Sequence, residues 1–323
     1  MLKVGLVGVG GISSSHISAW LDMKDAQLTA LCDIRPEQME KYPDTKHYTD
    51  IDVMLENEEF DILDICVPTY LHAEHALLAM QKVKYLFIEK PVALTAEEGK
   101  KLIEERKRTG CNVQVGQVIR FWDEYVELKN AIKDGRYGKV VNANFRRISP
   151  LPAWGWENWL LDDKRSGGAA QDLHIHDIDY VLSVFGEPEK YYSVKNTLGE
   201  KNSYINTLMQ YDGFPVSVEG TWGLPESHPF EATFRVVFEN AVVENAGGKF
   251  MLYDQTGAKE IKIEKPELVG AVTGGNVSDL GGYYNELSYF CARAKAGAPI
   301  EKATLSDAVS SLEFLLKELA YNA

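Results

Sequence analysis

The chain has 323 residues, of which 45% are hydrophobic and 25% charged, and its formal charge is −14. At roughly 150 residues per domain this length predicts two domains. The composition is that of a globular protein, and the negative balance argues against a nucleic-acid or anionic-membrane surface. Cys32, Cys66, Cys111 and Cys291 form no C-x-x-C pair and suggest no disulfide framework, which fits a reducing cytoplasm. No apolar run approaches ~18 residues, and the first residues lack a signal-peptide layout.

In chain order, apolar runs near 3–7, 28–32, 62–67, 85–88 and 112–115 alternate with helical patterns near 12–22, 50–57, 70–82 and 95–109. Apolar strands separated by helices predict a parallel sheet covered on both faces. Such sheets bind ligands at the carboxyl ends of their strands. After about residue 137 the rhythm changes to successive strands near 140–148, 190–197, 205–211, 216–222, 230–238, 241–244 and 250–253. Several of these alternate apolar with polar residues, which suits a sheet with one solvated or interface face. Helices near 171–185, 279–296 and 304–320 interrupt or close this half. The expected fold class is α/β plus α+β. A doubly wound parallel sheet occupies 1–120, and an α+β domain with a large, mostly antiparallel open sheet occupies 121–323. The last two helices are expected to pack back on the structure, the first domain included.

The first strand runs into Gly8-Val9-Gly10-Gly11-Ile12-Ser13, a G-x-G-x-x-G pattern with serine in the third place. Gly8 allows the tight turn, and Gly10 lets the backbone approach a pyrophosphate. The helix starting near Gly11 and Ile12 offers N–H groups and a positive dipole end. Asp33 ends the second run, twenty residues after Ser13, where a ribose-binding acid belongs. Its carboxylate accepts from both ribose hydroxyls and repels a 2′-phosphate by ~1–4 kcal/mol at contact, which favours NAD over NADP. Two other readings stay open. Asp33 precedes Ile34-Arg35-Pro36 and could serve as a helix cap, and Arg35 could pair with a 2′-phosphate if Asp33 turned away.

Glu89-Lys90-Pro91 follows the fourth run, so Lys90 stands at a strand's carboxyl end, and Pro91 restricts it to an extended backbone. A surface lysine in an ordinary turn is the bland alternative. Further on, Gly167-Gly168 leads into a helix candidate. At about 100° per residue, Asp172, His176, Asp179 and Ser183 share one face, and His174, Ile178, Val181 and Phe185 share the opposite one. Asp172 and His176 are then neighbours one turn apart, unless Asp172 is only a cap. His174 and His176 diverge by about 160°, so this pair is not expected to hold a metal, and no metal is expected elsewhere. His174 reads as a hydrogen-bonded packing residue. Trp154-Gly155-Trp156-Glu157-Asn158-Trp159 suits carbohydrate, because indole faces stack on apolar sugar faces. Trp154 is the candidate contact there, with a packed interface or lid as the alternative.

In this order and at these distances, the glycine turn, Glu89-Lys90-Pro91 and the Asp172/His176 segment resemble the Gfo/Idh/MocA family of nicotinamide-dependent oxidoreductases. The resemblance covers nearly the whole chain and implies a Rossmann domain binding NAD, with NADP less favoured. It implies that Cys66, Pro68, Thr69 and His72 lie along the cofactor, that Glu89 lies near the nicotinamide ribose, and that the Lys90–Pro91 bond is often cis. Gln117 and Arg120 would face the cleft, with Arg120 either hydrogen-bonding substrate or tying the domains together. Tyr283 matches a position that reaches substrate in some relatives. Catalysis falls to Lys90, Asp172 and His176. In this scheme His176 removes a hydroxyl proton, hydride passes to nicotinamide, and Lys90 stabilises the alkoxide or carries the proton itself. The implied activity is NAD-dependent dehydrogenation of a sugar, inositol or related polyol. Two alternatives are transient oxidation with retained NAD, for glycosidic cleavage or epimerisation, and a non-enzymatic NAD-binding regulator. A homodimer or homotetramer formed through the C-terminal sheet, in the cytoplasm, completes the expectation.

Overall fold

The computed structural model describes residues 1–198, 201–263 and 281–321. The strands are β1 (Leu2–Val7), β2 (Ala26–Cys32), β3 (Lys46–Tyr48), β4 (Ile62–Ile65), β5 (Tyr85–Ile88), β6 (Asn112–Val115), β7 (Val140–Pro150), β8 (Lys190–Leu198), β9 (Lys201–Tyr211), β10 (Phe214–Leu224), β11 (Glu231–Phe238), β12 (Ala241–Ala246), β13 (Lys249–Asp254) and β14 (Gly257–Glu260). The helices are α1 (Ser13–Asp22), α2 (Ile51–Asn57), α3 (His72–Ala79), α4 (Ala96–Thr109), α5 (Asp123–Lys133), α6 (Asp163–Ser166), α7 (Ile175–Phe185), α8 (Gly281–Lys295) and α9 (Leu305–Ala320). The chain divides into two compact units. The first is Met1–Val118, Trp154–Trp159 and the described part of Pro266–Leu312; the second is the described part of Ile119–Ala153, Leu160–Lys265 and Glu313–Ala323.

The first unit is built on a parallel sheet of order β3-β2-β1-β4-β5-β6. Every residue of β4 and β5 is buried, because helices cover both faces of the sheet. Local chemistry sets the helix ends. Asp50 caps α2 by accepting from the Asp52 and Val53 N–H groups. Thr95 and Glu98 form a reciprocal capping box at the start of α4, and Gly110, at φ +73°, ends it. Val4, Leu6 and Phe87 of the sheet, Trp20 of α1, and Leu287 and Phe290 of α8 share one apolar core.

The second unit carries the eight-stranded sheet, in the order β14-β13-β12-β11-β7-β10-β9-β8. Its neighbours run antiparallel except the parallel pair β7 and β10. Tyr125 of α5 stacks edge-on against Tyr180 of α7 at 4.8 Å and against Phe234 of β11 at 4.9 Å. Arg147 of β7 is buried there. Its Nε donates to Asp177 Oδ2 at 2.8 Å, and a terminal nitrogen donates to Oδ1 at 3.2 Å.

The predicted parallel and antiparallel sheets are both present. Four elements were not anticipated: β3, α5, α6 and β14. β3 is three residues long, with no buried position. α5 did carry a signal, since Tyr125, Leu128 and Ala131 recur at helical spacing and are the buried positions. The helix expected at 171–185 is corrected: Ala170–His174 form a π turn, and α-helix starts only at Ile175. Positions 279 and 280 of the helix expected over 279–296 lie outside the described residues. His174 is fully buried as expected but is not hydrogen-bonded; its Nε2 lies 3.8 Å from Glu318 Oε1. Gly220 makes room for that ring, because a Cβ there would fall 2.6 Å from His174 Nδ1. Among the described residues, no helix is long and apolar enough to cross a membrane.

Candidate active site

In the first unit the candidate segments follow the carboxyl ends of neighbouring strands. Gly8 to Ile12 follow β1, Asp33 to Arg35 follow β2, Cys66 to His72 follow β4, Glu89 and Lys90 follow β5, and Gln117 follows β6. Gly8 has φ +92°, and a Cβ there would lie 2.7 Å from the Cys66 carbonyl and the Val67 nitrogen. Only glycine fits such a position. Gly10 is different: a Cβ there meets nothing within 4 Å. Its smallness answers no demand of its own chain, and the open space is where a phosphate-bearing ligand would approach. Ser13 Oγ donates to the Gly10 carbonyl at 2.7 Å, and α1 starts without a side-chain cap. The positive end of that helix therefore faces the turn.

Asp33 is 7% exposed. Its Oδ2 accepts from the Val9 N–H at 2.7 Å, and its Oδ1 accepts from the Arg35 N–H at 2.9 Å and from Arg35 Nε at 3.2 Å. The acid is thus tied to the glycine turn, and the short helical turn Pro36–Gln38 has no side-chain cap. Arg35 pairs with Asp33 and lies over the Trp156 ring at 5.2 Å. Ile34 is exposed. Trp154 is also largely exposed, and its ring reaches within 3.5 Å of where a Gly11 Cβ would stand. Within the first unit this tryptophan stands beside the glycine turn.

Cys66 and Thr69 are buried, with Pro68 between them half-buried. Burial pushes the Cys66 thiol pKa up, with the Asp64 carboxylate adding to the effect. His72 Nδ1 and Nε2 face the Pro91 and Val67 carbonyls at 2.7 and 2.8 Å. Burial lowers the pKa of this ring; a neutral imidazole carries one N–H and so donates to one of the two carbonyls, and the ring spans the loop after β4 and the loop after β5. Glu89 is buried; its Oε1 sits 2.9 Å from His16 Nε2, and its Oε2 accepts from the Lys90 N–H at 3.0 Å. The Lys90–Pro91 bond is cis, and Lys90 is half-buried. Gln117 is 1% exposed, and its Oε1 has no hydrogen-bond partner, the mark of a group awaiting a ligand or water. Tyr283 lies against His16, with centroids 5.9 Å apart.

In the second unit, Arg120 donates from Nε to Asp179 Oδ2 at 2.6 Å and from a terminal nitrogen to Oδ1 at 2.7 Å. Its fork is occupied by a fully buried acid of α7. Asp172 lies in the π turn, and His176, 9% exposed, lies in the first turn of α7. Asp172 is not the cap of either element, since those positions are Ala169 and His174. The π turn also alters the angular step between Asp172 and His176, so the helix-face relation drawn at 100° per residue does not carry over. Such turns inside helices are frequent at functional sites. Gly167 (φ +75°) and Gly168 (φ +66°) lead into it.

The sequence reading missed His16, Asp64 and Gln114, all fully buried in the first unit. The available signal was Asp64, an acid inside the buried strand β4.

Residues 2–117 match the oxidoreductase family with an NAD-binding Rossmann fold, and residues 125–244 match the GFO/IDH/MocA C-terminal domain. The chain belongs to the GFO/IDH/MocA family. Among curated relatives, glucose-6-phosphate 3-dehydrogenase of Bacillus subtilis is 28% identical over 214 residues, 64% of this chain and 59% of the relative. Inositol 2-dehydrogenase of Rhizobium meliloti is 26% identical over 322 residues, covering 93% of this chain and 90% of the relative. The match thus spans only 59% of the first relative but nearly all of the second. A crystal structure of an oxidoreductase from Agrobacterium radiobacter, in complex with NAD+, L-tartaric acid and magnesium, superposes with a TM-score of 0.83. It is 17% identical and covers 99% of this chain and 96% of its own. That likeness establishes the fold.

Proposed function

We propose that this GFO/IDH/MocA protein is an NAD-dependent dehydrogenase acting on a secondary alcohol of a sugar, inositol or related polyol. The observation that carries the reading is Lys90, directly after the carboxyl end of β5, in the sheet whose β1 turn keeps Gly10 open and whose β2 end presents Asp33. Gly8, Gly10, Gly11, Ile12, Asp33, Ile34, Arg35, Cys66, Pro68, Thr69, His72, Glu89, Lys90 and Gln117 form the proposed cofactor set. Lys90, Asp172 and His176 form the proposed catalytic set, with Arg120, Trp154 and Tyr283 as further substrate candidates. When bound, the nicotinamide supplies the hydride-accepting carbon. His176 takes the hydroxyl proton, since a neutral imidazole is a competent base near neutrality. Lys90 stabilises the developing alkoxide, and Asp172 holds a neighbouring hydroxyl. The names of the relatives supply the sugar and inositol substrate class.

The test is nicotinamide reduction, followed by ultraviolet absorbance, with NAD or NADP against inositols, hexoses and amino sugars. A rise with NAD and one substrate class supports the reading. Nicotinamide that co-purifies with the protein and never accumulates in reduced form moves it to transient oxidation. Binding without any turnover moves it to a regulator.

Asp33→Ser is expected to weaken NAD binding roughly ten- to hundredfold, the worth of hydrogen bonds to a charged acceptor, and to narrow the preference over NADP. Fluorescence titration with NADH and NADPH reads both; an unchanged ratio removes Asp33 from cofactor selection. We also propose that the chain pairs through the outer face of its large sheet, where Tyr192, Val194 and Leu208 are exposed on adjacent strands. Light scattering is expected to give at least twice the 36.2 kDa chain mass, and a monomer overturns this.

A further inference from the structure

Behind Lys90, in the first unit, lies a set of buried ionisable groups that the proposed chemistry does not use. His16 of α1 stands between two acids. Its Nδ1 is 2.9 Å from Asp64 Oδ2, and its Nε2 is 2.9 Å from Glu89 Oε1. Asp64 Oδ2 also accepts from Trp20 Nε1 at 2.7 Å, and Cys66 Sγ lies 3.3 Å from His16 Nδ1. With a carboxylate at each ring nitrogen, His16 is an imidazolium donating both ways. Burial opposes its charge, but Asp64 and the other partners outweigh it and hold its pKa well above the ordinary histidine value.

A third acid, Glu286 of α8, completes the set. It is fully buried, and neither of its oxygens has a hydrogen-bond partner. One ligand atom from each of His16, Glu89 and Glu286 lies within 4.8 Å of the others. The Gln114 side chain reaches the same stretch of α8, its amide donating to the Glu286 backbone carbonyl at 3.4 Å. Two of the three carboxyls are accounted for by the single imidazolium. A third negative charge in the same buried space would face Glu89 and Asp64 with no protein donor of its own, the costliest arrangement for a buried acid.

We propose that Glu286 is a carboxylic acid whose proton is directed toward the Glu89 carboxylate, so that Glu286, Glu89 and His16 form a proton-sharing device that positions Lys90. The charges then sum to one negative, spread over Asp64, Glu89 and the imidazolium. Glu89 remains ionised with both oxygens engaged, Oε1 on His16 and Oε2 on the Lys90 N–H. That second bond fixes the main chain from which the Lys90 side chain departs. Gly116 belongs to the same device, because a Cβ there would fall 2.8 Å from Glu89 Oε1. An ionised Glu286 would drive Glu89 off both partners. Burial, then the Glu89 charge, hold the Glu286 pKa well above the ordinary carboxyl value. Glu286, His16 and Gln114 are positioning residues in this scheme. Their link to catalysis rests on the proposed role of Lys90, whereas the protonation state of Glu286 does not.

The test uses the full-length protein. Infrared spectroscopy at neutral pH is expected to show a protonated-carboxyl C=O stretch that shifts in heavy water and disappears in Glu286→Gln. Carbon NMR of wild-type protein labelled at glutamate Cδ is expected to show one carboxyl carbon in its neutral position at the same pH, a reading that needs no variant. Glu286→Gln keeps a neutral donor of the same shape and should bind NADH within about threefold of wild type. Glu286→Met removes the donor and should lower turnover at saturating NAD about tenfold or more, because the device acts through the placement of Lys90. Three results overturn the proposal: no neutral glutamate carboxyl at neutral pH, a band that survives Glu286→Gln, or a stoichiometric divalent metal in the purified protein, which would put a cation where the proton is placed. A neutral Glu286 in a protein that binds no nicotinamide would instead refute the dehydrogenase reading and leave this assignment standing.

Discussion

Replacing Lys90 by methionine is expected to lower turnover about 10²- to 10⁴-fold, the range for losing one charge-stabilising or proton-carrying group, and to lower NADH affinity far less. Methionine keeps the length and apolar stem of lysine and removes only the ammonium. The main chain at this position is held independently of the side chain, because Glu89 Oε2 accepts from the Lys90 N–H and Pro91 follows. Structure and cofactor site should therefore survive the change. Lys90→Arg keeps a positive charge but spreads it over a planar fork in place of a compact ammonium. If Lys90 acts as a cation beside developing alkoxide charge, arginine should restore part of the rate. If Lys90 carries the proton, arginine cannot, because it does not deprotonate, and the rate stays at the methionine level. Single-turnover kinetics with saturating NAD separate these from a binding defect. Unchanged turnover in Lys90→Met removes the residue from catalysis.

The candidate residues on each compact unit, and the backbone that carries them, were legible in the sequence to different depths. The turn at Gly8, the acid at Asp33 and the lysine at Lys90 were singled out because each is marked by local order. A strand must end, and glycine, aspartate or lysine must follow at once. Five of the six parallel strands announced themselves as apolar runs for the same reason: burial on both faces leaves no polar alternation. The partners of these groups were not legible. His16 meets Glu89 across 73 residues and Asp64 across 48, and no periodicity in one stretch encodes such a pairing. Arg120 shows the same limit. An arginine after a strand reads equally well as a substrate ligand or as a tie, and only the buried Asp179, 59 residues on, shows its fork to be occupied. The π turn at Ala170–His174 escaped because regular α-helical periodicity was assumed through it. The glycine pair before it hinted at irregular backbone but not at its kind.

The largest stability effect is expected at Asp177, the residue next to His176. Asp177→Ala should cost about 3–5 kcal/mol, the range for stranding one member of a buried ion pair. Arg147 is 3% exposed at its side chain and Asp177 is 0%. Burial opposes the guanidinium charge, and the Asp177 carboxylate more than restores it, holding the Arg147 pKa above its ordinary value. Arg147 otherwise touches Tyr125 Oη at 3.2 Å and lies 5.9 Å from the Trp122 ring. Neither group can neutralise a buried cation. Replacing both partners together, as Arg147→Met with Asp177→Leu, removes both desolvation costs and should recover most of the loss, since well-packed apolar pairs often match buried ion pairs. Urea melts of Arg147→Met, Asp177→Leu and the double variant form a cycle. A large negative coupling is expected, and strict additivity would mean the two side chains do not act as a pair. The same double variant tests what the pair does for the proposed site. Asp177 fixes the first turn of α7, from which His176 projects. A protein that regains stability but not turnover would show that the ion pair sets the direction of His176, whereas recovery of both would confine the pair to folding.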